Sequence, residues 1–407
     1  MTTRASNGAG ALVLGSDYKA LGLVRSLGRR GIPVWVLRDD HLIATWSRYS
    51  RRSCSWPASG EADRVAFLLD LGQRYGLAGW ALFPTDDESA ALLARNRDVL
   101  ARRFRVTVPR WEVLRWAYDK RLTYRLAANT GVDHPRTYYP RDRKDTLAFG
   151  GPYPAILKPA IRSELNRFTI SKAWRVDDSA ALGALYNEAC SLIDPSLVML
   201  QEIIPGGGEA QLSYAALCRD GDVRASLVAR RARQWPADFG RSSTYVETLD
   251  APDVEASATC LLAALRFDGI VEIEFKRDPR DGRLKLLDIN PRVWGWHTLG
   301  ARAGVDFPVL LWQMIHGAAQ IPRMRGRTGT RWVRALTDVP AALSEIRAGR
   351  LSVGAYVSSL RGPIEYAVLA ADDPLAALGE IPAALYLAWR RRTVTDGARM
   401  TRARIVP

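Results

Sequence analysis

The stretch from Gly269 to Arg292, GIVEIEFKRDPRDGRLKLLDINPR, constrains this chain more than any other. Alternation through Ile270, Val271, Glu272, Ile273, Glu274 and Phe275 predicts a strand. A second strand is predicted from Leu284 to Ile289, after the turn-forming Asp278, Pro279, Asp281 and Gly282. The two runs read as a β-hairpin. Side chains two apart on a strand share a face, so Asp288 and Asn290 project together, and pairing across the hairpin brings Glu274 opposite them. Three hard oxygen ligands so arranged suit magnesium, which takes one or two protein carboxylates and keeps its other positions for water and phosphate. Arg292, two residues on, is placed to clamp a phosphate oxygen. The competing reading is an exposed hairpin whose acids balance Arg283 and Lys285.

Three earlier segments supply further parts of a nucleoside triphosphate site. Tyr153 to Pro159 is a short apolar strand whose Lys158 is placed to neutralise phosphate charge, although strand-end lysines are commonly solvated. Asp119 and Lys120 open a helix with apolar Leu122, Leu126 and Ala127, so Lys120 can reach a phosphate from the other side; the plainer reading is a capping turn. Val198 to Ile204 is an apolar strand, followed by Pro205, three glycines and Glu209. Such a segment offers backbone groups to an adenine edge and a carboxylate to ribose hydroxyls; the alternative is a buried strand and a flexible turn.

In this order, the elements DK, ILKP, QEIIPGGGE, EIEF and LDINPR resemble the ATP-grasp superfamily over Trp116 to Gly317, with DINPR close to that group's E-x-N-x-R form. The resemblance implies an α/β chain: a Rossmann-like front domain, a two-subdomain ATP-grasp fold of α+β character, and a helical C-terminal extension. It further implies that Lys120 and Lys158 contact phosphates, that Gln201, Glu202 and Ile203 line the adenine pocket, and that Glu209 holds the ribose. Glu274, Asp288 and Asn290 would bind magnesium, with manganese as the alternative metal, and Arg292 with Lys158 would be catalytic. Glu272 is the competing ligand if the register shifts by two. The family's glycine-rich phosphate loop is missing after Lys158; Arg162, Arg167 and Lys172 are the cations available to replace its amides.

A narrower resemblance, carried by Val228 to Pro236, Phe239–Gly240 and Thr244 to Thr248, is to bacterial carboxylate-amine ligases related to D-aspartate ligase. It implies an ATP-dependent ligase that activates a carboxylate as an acyl phosphate and joins it to an amine, acting on an amino acid or cell-envelope precursor. Arg231 and Arg233, on one face of an extended segment, would hold the carboxylate, and Trp294 and His297 would meet the substrate, His297 as a candidate general base. Other readings of the chain are a phosphotransferase on the same fold, or a basic binding protein without catalysis.

Ahead of these motifs, Ala11 to Leu14, Ala20 to Arg30 and Val34 to Leu37 form a βαβ unit. Its turn, GSDYKALG, departs from G-x-G-x-x-G and disfavours a dinucleotide site. Trp80 to Pro84 is another strand, and Thr85 to Glu88 a helix cap with an acidic first turn. Ser16 and Asp87 are candidate substrate contacts. The expected domains are 1–115, 116–195, 196–320 and 321–407.

The formal charge of +15 is spread along the chain, without a nucleic-acid motif or repeats. Four scattered cysteines, without a C-x-x-C pair, indicate a reducing cytoplasm rather than zinc or disulfides, and no apolar run approaches a membrane span. Ala383 to Trp389 leads into Arg390–Arg392, a basic, aromatic-ended segment suited to peripheral contact with an anionic membrane; a core-docking helix with a solvated tail is the alternative. Oligomeric state is open, a homodimer among the options.

Overall fold

The computed structural model describes residues 8–161, 166–235, 242–318 and 321–387. Its first sheet is built by apolar strands β1 (Ala11–Leu14), β2 (Val34–Arg38), β3 (Ser50–Ser55), β4 (Ala81–Pro84) and β5 (Arg105–Val106). All pairings are parallel in the order β3-β2-β1-β4-β5, the Rossmann-like arrangement. Ligand-facing loops of such sheets lie beyond the carboxyl ends of the strands. There Asp17 caps the helix Tyr18–Gly28 and Asp86 caps Asp87–Arg95, each carboxylate accepting from first-turn amides.

A second sheet contains β6 (Thr137–Tyr138), β7 (Ala155–Pro159), β8 (Trp174–Val176) and β9 (Val198–Glu202), antiparallel in the order β6-β9-β7-β8. Its buried face packs Leu157, Val176 and Leu200 against Leu182 and Tyr186 of the helix Ser179–Cys190.

The third sheet is the largest. It holds β10 (Gln211–Arg219), β11 (Asp222–Trp235), β12 (Ser242–Leu249), β13 (Gly269–Arg277), β14 (Leu284–Asn290), β15 (Met324–Arg325), β16 (Arg331–Val333) and β17 (Ile364–Tyr366), in the order β14-β13-β10-β11-β12-β16-β17 with β15 beside β11. One face packs on the helix Pro252–Leu265 through Tyr214, Val271 and Phe275; the other contributes Ala215, Leu217 and Ile270 to the core shared with the front sheet. The chain beyond residue 320 thus adds three short strands to the helices Ala335–Arg347 and Val353–Ser359.

The three sheets carry the resemblance-derived fold class, and the expected hairpin is β13–β14. A bulge after Glu274 sets its register: Glu274 lies opposite Asp288 and Glu272 opposite Asn290.

Candidate functional site

One cavity of about 520 Å³ collects charged side chains from all three sheets. The third sheet supplies Arg231, Glu272, Glu274, Asp288 and Asn290; Lys120 and Lys158 enter from the second region, and Asp17, Lys19, Asp86 and Asp87 from the front domain. Strand alternation explains the acidic cluster, because 272 and 274 on β13 share a face, as do 288 and 290 on β14.

Asn290 Nδ2 donates to both acids of β13, at 3.1 Å to Glu272 Oε2 and 3.1 Å to Glu274 Oε1. Glu274 also accepts from Arg231 at 3.1 Å. Asp288 accepts instead from Lys120. Glu272 is 3% exposed, and its Oε1 has no hydrogen-bond partner among the described residues. Burial, with the Glu274 charge beside it, pushes Glu272 up to about 8.

Lys158 lies under this cluster, donating at 3.2 Å to both Tyr124 Oη and Gln201 Oε1. Burial pulls its ammonium below the usual lysine range, with Asp288 and Glu274 opposing the shift. Arg292 is gripped from the front domain by a two-pronged pair with Asp87, Nε–Oδ1 2.7 Å and Nη2–Oδ2 3.1 Å, and also donates to Asn290 Oδ1 at 3.0 Å. Glu274 and Asp288 each pair with a cation, Arg231 and Lys120, whereas Glu272 is left without one among the described residues.

No protein-family model matches the chain, and no curated protein is significantly similar in sequence. Solved structures do resemble it. An L-amino acid ligase from Bacillus licheniformis superposes with a TM-score of 0.62 at 13% identity, over 80% of this chain and 79% of that one. N5-carboxyaminoimidazole synthetase from Staphylococcus aureus gives 0.59 at 13% identity over 80% and 81%, and a nucleotide-bound biotin carboxylase from Campylobacter jejuni gives 0.59 at 15% over 76% and 71%. The chain has the ATP-grasp fold.

Within the ATP-grasp frame, the orphaned Glu272 oxygen is the observation that tests a metal. A buried carboxylate with an unpartnered oxygen beside a second carboxylate and a side-chain amide is a donor set suited to a hard divalent cation. Glu272 and Glu274 are the carboxylates that would hold magnesium; Asn290 presents Nδ2 to them and Oδ1 to Arg292, so its amide would have to turn over to add an oxygen ligand. Asp288 joins them if Lys120 turns from it to a phosphate. Among the described residues no three His, Cys, Asp or Glu side chains converge on one point.

The other expected contacts divide. Gln201 and Glu202 end β9; Gln201 Nε2 donates to Thr137 Oγ1 at 2.7 Å, and Glu202 accepts from Arg136 N at 2.8 Å and Arg280 at 3.0 Å, leaving their side chains engaged. Ile203 follows the strand. Glu209 sits in the turn Gly208–Ala210, accepting from Gly207 N at 3.0 Å, and does not line the cavity. Lys172 lines the cavity, Arg167 pairs with Glu188 at 3.0 Å, and Arg162 lies outside the described residues, as do Pro236 and Phe239–Gly240.

Arg231 and Arg233 do not share a face. A bulge at Ala232 turns Arg233 to Asp338, which is fully buried and is held at 2.8 Å by both Nε and Nη2. Ser16 is likewise buried, donating to Asp39 at 2.7 Å and to the His41 carbonyl at 2.6 Å. Trp294 reaches the cavity wall, whereas His297 points to the helix Tyr18–Gly28, where a side chain on Gly22 would strike its imidazole. His297 Nδ1 donates to the Trp294 carbonyl at 2.9 Å, Nε2 has no hydrogen-bond partner among the described residues, and burial drives the imidazole down to about 4. A neutral imidazole there is packing.

Tyr18 and Arg334 are among the cavity residues that the motifs did not single out. The two stack with the guanidinium 4.0 Å from the ring centroid. Tyr18 follows β1, where front-domain ligands are expected; Arg334 arrives only through β16 pairing with β12.

Proposed function

We propose that this protein is an ATP-dependent ligase that activates a carboxylate as an acyl phosphate and joins it to an amine, with an amino acid or cell-envelope precursor as the substrate class. The observation that carries the reading is the meeting of Lys120, Lys158, Arg231 and Arg292 with Glu272, Glu274, Asp288 and Asn290 around one cavity. The likeness to amino-acid and carboxyaminoimidazole ligases supports it. In this reading residues 1–115 form the front domain, 116–195 and 196–320 the two halves around ATP, and 321–407 the extension.

Magnesium, or manganese in its place, would be held by Glu274, Asp288 and Asn290 with Glu272 beside them, and would supply charge neutralisation at the phosphates. Lys120 leaves Asp288 for a phosphate oxygen, and Lys158 holds another from below the cluster. Backbone groups of Gln201 to Ile203 would meet the adenine, the side chains of Gln201 and Glu202 being engaged elsewhere, and Glu209, outside the cavity, is left without a role in this reading. Arg292, fixed by Asp87, faces the phosphoryl group in transfer, and Arg231 the substrate carboxylate. A carboxylate oxygen attacks the γ-phosphorus; the O–P bond forms as the bond to the β,γ-bridging oxygen breaks, and ADP leaves. The amine lone pair then adds to the acyl carbon. The C–N bond forms, the C–O bond to phosphate breaks, and amide, phosphate and a proton depart. No protein nucleophile takes part.

Hydroxylamine supplied as the amine tests this. With the right carboxylate and magnesium-ATP, hydroxamate, ADP and free phosphate appear together. A stable phosphorylated product with no free phosphate would assign a phosphotransferase instead.

A further inference from the structure

A surface that the site leaves unused lies on the helix 375–387. That helix meets the rest of the protein through small residues: Ala376 and Ala383 are buried, and a side chain on Gly379 would run into the Trp46 ring. Its large apolar residues face the other way. Leu375, Leu378, Ile381 and Leu385 are 61, 74, 61 and 67% exposed, and their spacing of three and four aligns them on one face. Single exposed leucines are ordinary; four in helical register form a patch with a use. Glu380 on the same helix pairs with Arg334 at 3.4 Å, which fixes the direction of the stripe.

The sequence immediately after this stripe is Ala388-Trp389-Arg390-Arg391-Arg392. Residues 388–407 hold six arginines against one aspartate, a net charge of +5.

We propose that helix 375–387 lies on an anionic lipid surface, its leucine face at the boundary of headgroups and acyl chains and the following arginines on the lipid phosphates. Charge decides between lipid and a second copy of the chain. Two copies paired through this stripe would bring two +5 segments together in a protein already at +15, whereas anionic headgroups neutralise them. Thirteen helical residues extend about 20 Å, short of the ~30 Å hydrocarbon core, so the helix rests in the interface. Among the described residues no helix is long and apolar enough to cross a membrane. The proposal is independent of the ligase reading.

Co-sedimentation of the full chain with vesicles provides the test, using phosphatidylcholine alone and an equal mixture of phosphatidylcholine with phosphatidylglycerol. The expected result is binding to the mixed vesicles only, weakened by salt. The double variant Leu378→Ser/Leu385→Ser should reduce partitioning about a hundredfold or more, since each leucine lost from the apolar boundary costs about tenfold or more. Replacing Arg390–Arg392 by glutamine should weaken it about fivefold per arginine. Both variants alter exposed or terminal positions, and an unchanged thermal midpoint verifies folding. Equal binding to both vesicle types, or binding unaltered in both variants, would overturn the proposal. So would a dimer that the leucine variant dissociates while wild-type protein ignores lipid.

Discussion

His297 gives a prediction that separates packing from proton transfer. The imidazole is 1% exposed, and its folded-state pKa near 4 lies below the 6.5 of an unfolded chain. Between these values the unfolded chain takes up a proton that the native state refuses, so stability is fully present above pH 6.5 and falls as pH drops toward 4. The difference, 6.5 minus 4, corresponds to roughly 3 kcal/mol at about 1.36 kcal/mol per pH unit. For 407 residues at about 2.1 cal/mol/K each, the unfolding entropy is ~0.85 kcal/mol/K, making this a shift of about 4 °C in Tm. His297→Asn removes the titration while its own packing cost stays constant with pH. Thermal melts of both proteins from pH 7 to 4 should therefore converge by about 4 °C as pH falls. Parallel curves would refute the reasoning. So would an activity limb near pH 6.5 that the variant abolishes, because it would return His297 to the chemistry.

Three further substitutions test the placement of charge. Glu272→Gln should raise the melting temperature of the metal-free protein, because at pH 7 the buried acid must take up a proton on folding, at a cost of roughly 3 kcal/mol that an amide avoids, and erase the gain that magnesium gives the wild type; differential scanning calorimetry with and without magnesium reads both effects. Lys158→Met should weaken magnesium-ATP binding about tenfold or more in calorimetric titration, through loss of a charge-assisted phosphate contact. Arg233→Met should cost roughly 3–5 kcal/mol in chemical denaturation, because buried Asp338 loses its partner, yet leave nucleotide affinity of the folded protein unchanged.

The hairpin was the most legible part of the sequence, because period-two alternation fixes which acids share a face. Choosing between Glu272 and Glu274 was unnecessary: two residues on one face of β13 meet Asn290 together. The arginine strand was misread for a comparable reason. Alternation places 231 and 233 together only in an unbroken strand, and a bulge carries no sequence signature in Arg230-Arg231-Ala232-Arg233. Long-range pairs were out of reach. Asp87 was visible as part of an acidic first turn and Arg292 as a phosphate clamp, but that one grips the other depends on how the front sheet docks on the large one. Arg334 depends likewise on β16 joining β12. The C-terminal segment showed its charge and aromatic residues in sequence, while the outward turn of its leucines required the docking of Ala376, Gly379 and Ala383. Trp389 and the arginines beyond it lie outside the described residues.

Magnesium-ATP titration into the metal-free protein, followed calorimetrically beside Asn290→Ala, addresses the nucleotide site directly. Saturable binding of one nucleotide per chain that requires magnesium and is lost in the variant is the predicted result. Absence of binding at millimolar nucleotide, or equal binding by the variant, would contradict the assignment of the Glu272, Glu274, Asp288 and Asn290 cluster to the phosphates of ATP.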